Sequence, residues 1–287
     1  MSRATKYPIV PGLLGFLGHL GHLGILGVLV FLVSCAPRIA TSFWRIGTPA
    51  DSVRPGYAVL HEGNKVRHCY PITEWTASPD NDTYHSLHHH GVAIESEQMA
   101  YRIYFDKKQT IDVYCKRKPQ LELATSYWYP NDSLLALGYG DDILRVSGTV
   151  GVGAVKYWNG KKHVHIEPVA ERSERIVSQS GNKATIEVAV KDWQIEGKSV
   201  DMQVQYTLQA QHRDMRCDVN LSEIVEGLCT GVQSIPAKEP TPMAKSQWLS
   251  EQLSNGILLA SWGTDWPVND TVKYAKETVG LAVFIPK

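Results

Sequence analysis

Ile186-Glu187-Val188-Ala189-Val190, then Glu196-Gly197-Lys198, then Met202-Gln203-Val204-Gln205-Tyr206-Thr207-Leu208 is the stretch that decides the fold. Apolar side chains recur at every second residue on both sides of a short turn. That is the period of a strand with one buried face, not of a helix. The same period extends from Gly91 to Leu221, as in Tyr101-Ile103-Phe105 and Ile111-Val113-Cys115. Turn signals at Asp106 to Gln109, Asn159-Gly160 and Ser180-Gly181-Asn182 separate the runs. Strands at this spacing, with short connections, predict an all-β antiparallel sandwich built from long meanders. Nearer the N-terminus, Tyr57 to Leu60 and Val66 to Ile72 flank Glu62-Gly63-Asn64 and predict a further hairpin. Nearer the C-terminus only Lys245 to Leu253 suggests a helix. Leu281 to Pro286 reads as a strand cut off without partners, so further C-terminal strands are expected to be missing.

Residues 1–35 read as an export signal. Arg3 and Lys6 precede a stretch from Pro8 to Val33 that is apolar apart from His19 and His22, and it stops at Leu32-Val33-Ser34-Cys35. The ending resembles a bacterial lipobox, in which the Cys thiol receives the lipid. An uncleaved span is the alternative, because the stretch is long enough to cross a bilayer. Its glycines, the Gly18-His19-Leu20-Gly21 repeat and the position of Cys35 favour the lipobox. Residues 36–287 are then one β-sandwich domain outside the cytoplasm, anchored through Cys35 to a membrane of the bacterial envelope.

Lys plus Arg and Asp plus Glu both number 29, and no basic run supplies a local patch, which excludes nucleic acid as a partner. Cys69, Cys115, Cys217 and Cys229 match no zinc spacing. They are expected to be mostly buried thiols, with one disulfide permitted by an oxidising compartment.

Matching apolar faces puts Phe105 opposite Ile111, Ile103 opposite Val113 and Tyr101 opposite Cys115. Arg102 then faces Tyr114 and Tyr104 faces Asp112 on the other side, with Lys116 beyond. A second hairpin turning at Asn159-Gly160 pairs Val155 with Val164, and Lys156 with His163 and Ala154 with His165 on its opposite face, with Trp158 by the turn. A solvated polar face is the commoner explanation for either hairpin. Aromatic rings, imidazoles and cations mixed on one face also suit a sugar acid, whose ring stacks and whose carboxylate needs a cation.

In extended chain His88 and His90 share a side, which permits acid–base work or a metal site. A metal would need a third ligand from Glu95, Glu97 or His85. The sequence requires no cofactor, and a divalent metal stays an open option. Glu95 and Glu97 point the same way on a strand and continue the parity of Met99 and Tyr101. They could be a glycosidase pair, though a structural salt bridge is commoner. Gly138 to Gly153 is glycine-dense, which suggests close backbone packing, with Asp141 and Asp142 exposed beside it. Trp262 and Trp266 flank an expected turn, as a sugar-stacking loop or a hydrophobic plug.

His89-His90-Gly91-Val92-Ala93, Glu95-Ser96-Glu97 and Met99 to Thr110, followed by Asp112-Val113-Tyr114, resemble the domain-of-unknown-function family numbered 4861. The family's Glu-Asn-Asp-Arg followed by Ala-Tyr-Arg is matched at Glu95, Ala100, Tyr101 and Arg102, and departs at Ser96, Glu97 and Gln98. The resemblance covers roughly Thr41 to the last residue. It implies a secreted or lipid-anchored protein of Bacteroidota, associated with degradation of uronic-acid polysaccharides. It also implies a large β-supersandwich like that of galactose mutarotases and polysaccharide lyases. The activity implied is dehydration of a terminal uronic acid on an oligosaccharide, a carbon–oxygen lyase reaction. On the faces derived above, Arg102 or Lys116 is the expected carboxylate ligand. His90, His163 or His165 is the expected base, and Tyr104 or Tyr114 the acid. Lys156, Trp158, Trp262 and Trp266 are the further expected substrate contacts. The alternatives are a non-catalytic glycan-binding lipoprotein and a glycoside hydrolase using Glu95 and Glu97.

Overall fold

The computed structural model of the protein describes residues 37–62, 64–78, 85–235, 247–266 and 277–287. The export signal and Cys35 lie outside them. Strands are numbered in chain order. One five-stranded sheet runs β1 (Ile39–Ser42), β6 (Ala93–Ser96), β7 (Met99–Ile103), β8 (Ile111–Cys115), β9 (Asp141–Asp142). A second runs β15 (Met215–Leu221), β14 (Lys198–Gln209), β13 (Lys183–Ile195), β12 (Glu171–Gln179), β5 (Glu74–Ala77). All their pairings are antiparallel. The two sheets bury one shared core, with Ile94, Ile103 and Val113 from the first and Ile186, Val188, Val204 and Leu208 from the second.

The deciding stretch folds as its period demands. Ile186 pairs with Tyr206, Val188 with Val204 and Val190 with Met202, and all six side chains are buried. Burying each aliphatic side chain of this size contributes about 1.5–3 kcal/mol. Glu196 and Gly197 make the two-residue turn, both at positive φ (52° and 74°), the geometry that matches the twist of paired strands. A bulge between Val190 and Trp193, with Asp192 at φ 56°, returns Trp193 to the core side, where it is fully buried.

Three smaller sheets complete the described residues. β2 (Trp44–Gly47), β4 (Lys65–Pro71) and β3 (Ala58–Glu62) contain the expected N-terminal hairpin. β11 (His163–Val164), β10 (Lys156–Trp158) and β16 (Leu228–Cys229) form the second, and β17 (Gln247–Leu253), β18 (Gly256–Asp265) and β19 (Glu277–Pro286) the third. The one α-helix among the described residues, α1 (Asp132–Ala136), is capped by the Asn131 side chain.

Several expectations change here. The expected helix near Lys245–Leu253 is strand β17, because the Ser254-Asn255 turn lets Leu253 pair with Gly256. The terminal strand is not without a partner, since β19 pairs with β18 along its whole length. Trp262 lies within β18 rather than at a turn. All four described cysteines are free thiols, and Cys217 is exposed. No helix among the described residues is long and apolar enough to cross a membrane.

Candidate functional site

The first sheet carries the expected polar face, in a shifted register. Arg102 pairs with Asp112, Ala100 with Tyr114 and Ile103 with Ile111. The pairing is displaced by two residues from the one read in the sequence, because the connection from Tyr104 to Thr110 is longer than a tight turn. A displacement by two preserves the faces, so Arg102, Asp112 and Tyr114 still share a side. Glu95 joins them, contrary to its expected core parity. The chain reverses at Glu97-Gln98, which pairs Glu95 with Ala100 and Ile94 with Tyr101.

This face is not open to a substrate. Residues 116–140 form a strap over it, and Leu123 and Tyr129 pack on Ala93, Ala100 and Tyr114. Side chains of the sheet hold the strap by its backbone. Glu95 accepts from the amides of Glu122 (2.8 Å) and Leu123 (3.1 Å). Lys116 closes on Glu95 at 2.5 Å and on the Gln120 carbonyl at 2.6 Å. Arg102 Nη1 and the Tyr114 hydroxyl both donate to the Trp128 carbonyl, at 2.9 and 2.8 Å. Close backbone approach completes the seal, since a Cβ on Gly140 would lie 1.8 Å from the Cys115 carbonyl oxygen.

Arg102 is fully buried, with Nη2 2.5 Å from Asp112 and 3.5 Å from Asp142. Two carboxylates thus share one cation. Burial, together with the neighbouring Asp112 charge, pushes Asp142 well above the usual carboxylate range. Burial also raises Asp112, against the pull of Arg102. Asp141 and Asp142, expected to be exposed, are both buried, and burial lifts Asp141 to about 6. Arg102, Tyr114 and Lys116 are therefore internal. Their donors are engaged by protein groups, and neither Arg102 nor Lys116 is placed to hold a substrate carboxylate.

At the edge of the strap lies a second group, whose three imidazoles are also buried, His90 at 5% exposure. His88-His89-His90 is a tight turn, not extended chain, with His89 and His90 in the left-handed region at φ 62° and 60°. Such conformations cost of order 1–3 kcal/mol in a non-glycine residue and persist where the surroundings over-determine them. His89 Nε2 donates to the Leu123 carbonyl at 2.9 Å, and its ring packs 3.9 Å from that of His88. His88 Nδ1 faces Arg67 Nη1 at 3.0 Å. Burial, aided by the Arg67 charge, pushes His88 down to about 3, and burial drives His89 well below the imidazole range. Both are neutral side chains that hold the turn.

His90 differs. Its ring stacks on Tyr104, with centroids 5.5 Å apart, and tilts against Trp128 at 4.7 Å. Tyr104, Tyr127, Trp128 and Tyr129 are all half-buried. Tyr104 hydrogen-bonds the Asp112 carboxylate, and burial, then the Asp112 charge, raises its hydroxyl above the usual phenol range. Arg67 lies between two of the rings, 3.9 Å from Tyr127 and 4.1 Å from Trp128, in cation–π geometry. The rim thus combines an imidazole, a phenol, an indole and a cation.

Arg67 and the strap aromatics were missed in the sequence. Arg67 interrupts the apolar run Val66 to Ile72, and Tyr127-Trp128-Tyr129 is an aromatic triplet between polar residues. Both patterns set these residues apart in the sequence. The expected metal set is not brought together, since His88 is spent on Arg67 and Glu95 on Lys116. Nor is the glycosidase pair, because Glu97 accepts instead from the Gln211 amide at 3.1 Å.

The second hairpin is also displaced by two. Tyr157 pairs with Val164 and Trp158 with His163, because Asn159 Oδ1 caps Lys161 N and Lys162 N in a four-residue loop. Lys156 is fully buried rather than facing His163, and its ammonium donates to the Lys108 carbonyl. Burial brings it down to about 8. His163 contacts the Gly148 carbonyl at 3.1 Å, and His165 is lowered by burial and by Lys156. Neither shares a described contact with His90. Trp158 and Trp262 are 48% and 37% exposed, and Trp262 Nε1 donates to Gln247 at 2.6 Å. Trp266 is half-buried beside Asp265.

No curated protein and no solved structure matches the chain. A family model described as "Domain of unknown function (DUF4861)" matches residues 36–287, nearly the whole sequence. The expected resemblance is therefore borne out, and the chain belongs to the DUF4861 family.

Proposed function

We propose that this protein removes water across C4–C5 of a terminal uronic acid on an oligosaccharide, at the rim formed by His90, Tyr104, Arg67 and Trp128. The observation that carries the reading is the stacked His90–Tyr104 pair, a base and an acid side by side against an indole. His90 takes the C5 proton, and the electron pair of that C–H bond becomes the C4=C5 double bond. The C4 hydroxyl leaves as water with the proton of Tyr104, and the proton on His90 returns to Tyr104 after release. Arg67, buried with Nη1 held by the Tyr127 carbonyl and His88, replaces Arg102 and Lys116 as the cation that offsets the sugar carboxylate, acting through space and not by direct contact, and Trp128 offers a stacking surface. The hydrogen bond to Asp112 and the partial burial of Tyr104 keep its phenol protonated, as a proton donor requires.

The paired five-stranded sheets support the supersandwich of mutarotases and polysaccharide lyases as the fold type, and the export-type N-terminus supports lipidation at Cys35 in the envelope. A Cys35→Ser change should abolish labelling by a fatty acid and release the protein from the membrane fraction. A second reading, a non-catalytic glycan-binding lipoprotein, is favoured by the exposure of Trp158 and Trp262.

The test is ultraviolet absorbance at about 235 nm, where an unsaturated uronate absorbs, with pectic and ulvan oligosaccharides bearing terminal uronic acids. Absorbance should rise, and His90→Ala and Tyr104→Phe should each slow the rise by about 10²–10⁴-fold. A folded protein that binds these sugars without any rise would move the assignment to glycan binding.

A further inference from the structure

Glu174 belongs to β12, in the sheet opposite the rim, yet its side chain crosses to the His turn. Its Oε2 accepts from the Val92 amide at 2.8 Å. A Cβ built on Gly91 would lie 3.0 and 3.1 Å from its two carboxyl oxygens. Gly91, at φ 156°, directly follows His90, at φ 60°. The carboxyl group therefore seats the two residues that leave the left-handed turn. We propose that Glu174 is a positioning residue for His90, holding the turn from the opposing sheet; its consequence for turnover rests on the elimination reading above.

The state of the carboxyl group follows from its surroundings. Glu174 is buried, and its Oε1 has no hydrogen-bond partner. In a dry interior a carboxylate with an orphan oxygen costs more than the neutral acid. The titratable groups facing it are Arg172 on its own strand, Asp106 from the connection between β7 and β8, and Tyr206 from β14. Arg172 does not bridge to it, because Nη2 donates to the Ile166 carbonyl at 2.9 Å and Nη1 has no partner. Burial raises Glu174 well above the carboxylate range, with only partial opposition from the Val92 hydrogen bond and Arg172. Glu174 thus acts as a neutral acid, which a glutamine amide can imitate.

The folded protein then keeps a proton that the unfolded chain releases above the ordinary glutamate pKa. Wild-type stability falls as pH rises from that value towards the folded one, and Glu174→Gln has no such proton to lose. The melting temperature of Glu174→Gln should gain on wild type as pH rises from about 5 towards the folded value, by at most roughly 3–5 °C per unit, equivalent to tenfold in the folding equilibrium. The imidazole NMR signal of His90, assigned by its loss in His90→Gln, should stay in place in Glu174→Gln. It should move in Glu174→Leu, which offers Val92 no acceptor. A melting gap that is constant over this range, with the glutamine form less stable, makes Glu174 an ionised partner of Arg172 and overturns the proposal. An unmoved His90 signal in a folded leucine variant overturns it too. If the leucine variant does not fold, the glutamine variant decides, through its pH series and its His90 signal. Neither readout involves a sugar, so their failure is separable from failure of the elimination reading.

Discussion

Replacing Arg102 with alanine separates the buried network from an open substrate face. The guanidinium is fully enclosed and donates to Asp112, to Asp142 and to the Trp128 carbonyl. Its removal leaves two buried carboxyl groups without their cation and the Trp128 carbonyl with the Tyr114 hydroxyl alone. Breaking a buried pair by deleting one partner costs about 3–5 kcal/mol. For a chain of this size each kcal/mol moves the melting point by roughly 2–4 °C, so the loss should be about 6–20 °C. The effect has a pH sign. Without Arg102, Asp112 and Asp142 retain protons to higher pH in the folded state than in the unfolded chain, so stability falls as pH rises above about 3.9. Thermal melts followed by circular dichroism at about pH 5, 6.5 and 8 should therefore show a deficit that grows with pH. A surface residue substituted in this way changes stability by no more than about 0.5 kcal/mol. A melting point unchanged at every pH would refute the buried-network account, and a large deficit independent of pH would reduce it to lost packing.

Lys116→Ala should release the strap, because Glu95 would lose its ion pair while still buried; limited proteolysis should then cut within residues 117–131, which the wild type resists. Gly140→Ala should be poorly folded, since its Cβ would sit 1.8 Å from the Cys115 carbonyl oxygen, and soluble yield with circular dichroism would show it. Trp158→Ala should leave stability within about 0.5 kcal/mol, because its ring is half in solvent; a loss of glycan affinity by calorimetry in the same variant would favour the binding reading.

The faces of the first hairpin were legible although its register was not. Side-chain parity survives a slip of two residues, and the length of the Tyr104 to Thr110 connection is not written in the alternation. Sequence parity puts Glu95 on the wrong face, because Glu97-Gln98 carries no glycine or proline to mark the reversal. The helix expected near Lys245–Leu253 failed for a related reason, since tertiary pairing with β18 overrides the weak propensity of so short a segment.

By itself the sequence determined the all-β class, the N-terminal hairpin, the Glu196-Gly197 turn and the family, because these rest on local period and on residue identity at neighbouring positions. Only the tertiary structure decided which polar residues meet solvent. Arg102 and Lys156 are buried by segments distant in the chain, the Lys116 side chain is enclosed against Glu95 of another strand, and charge type alone does not reveal what will cover a sheet face. The same is true of the rim. Arg67, His90, Tyr104 and Trp128 come from β4, the His turn, the end of β7 and the strap, and their meeting depends on two sheets and a loop packing together.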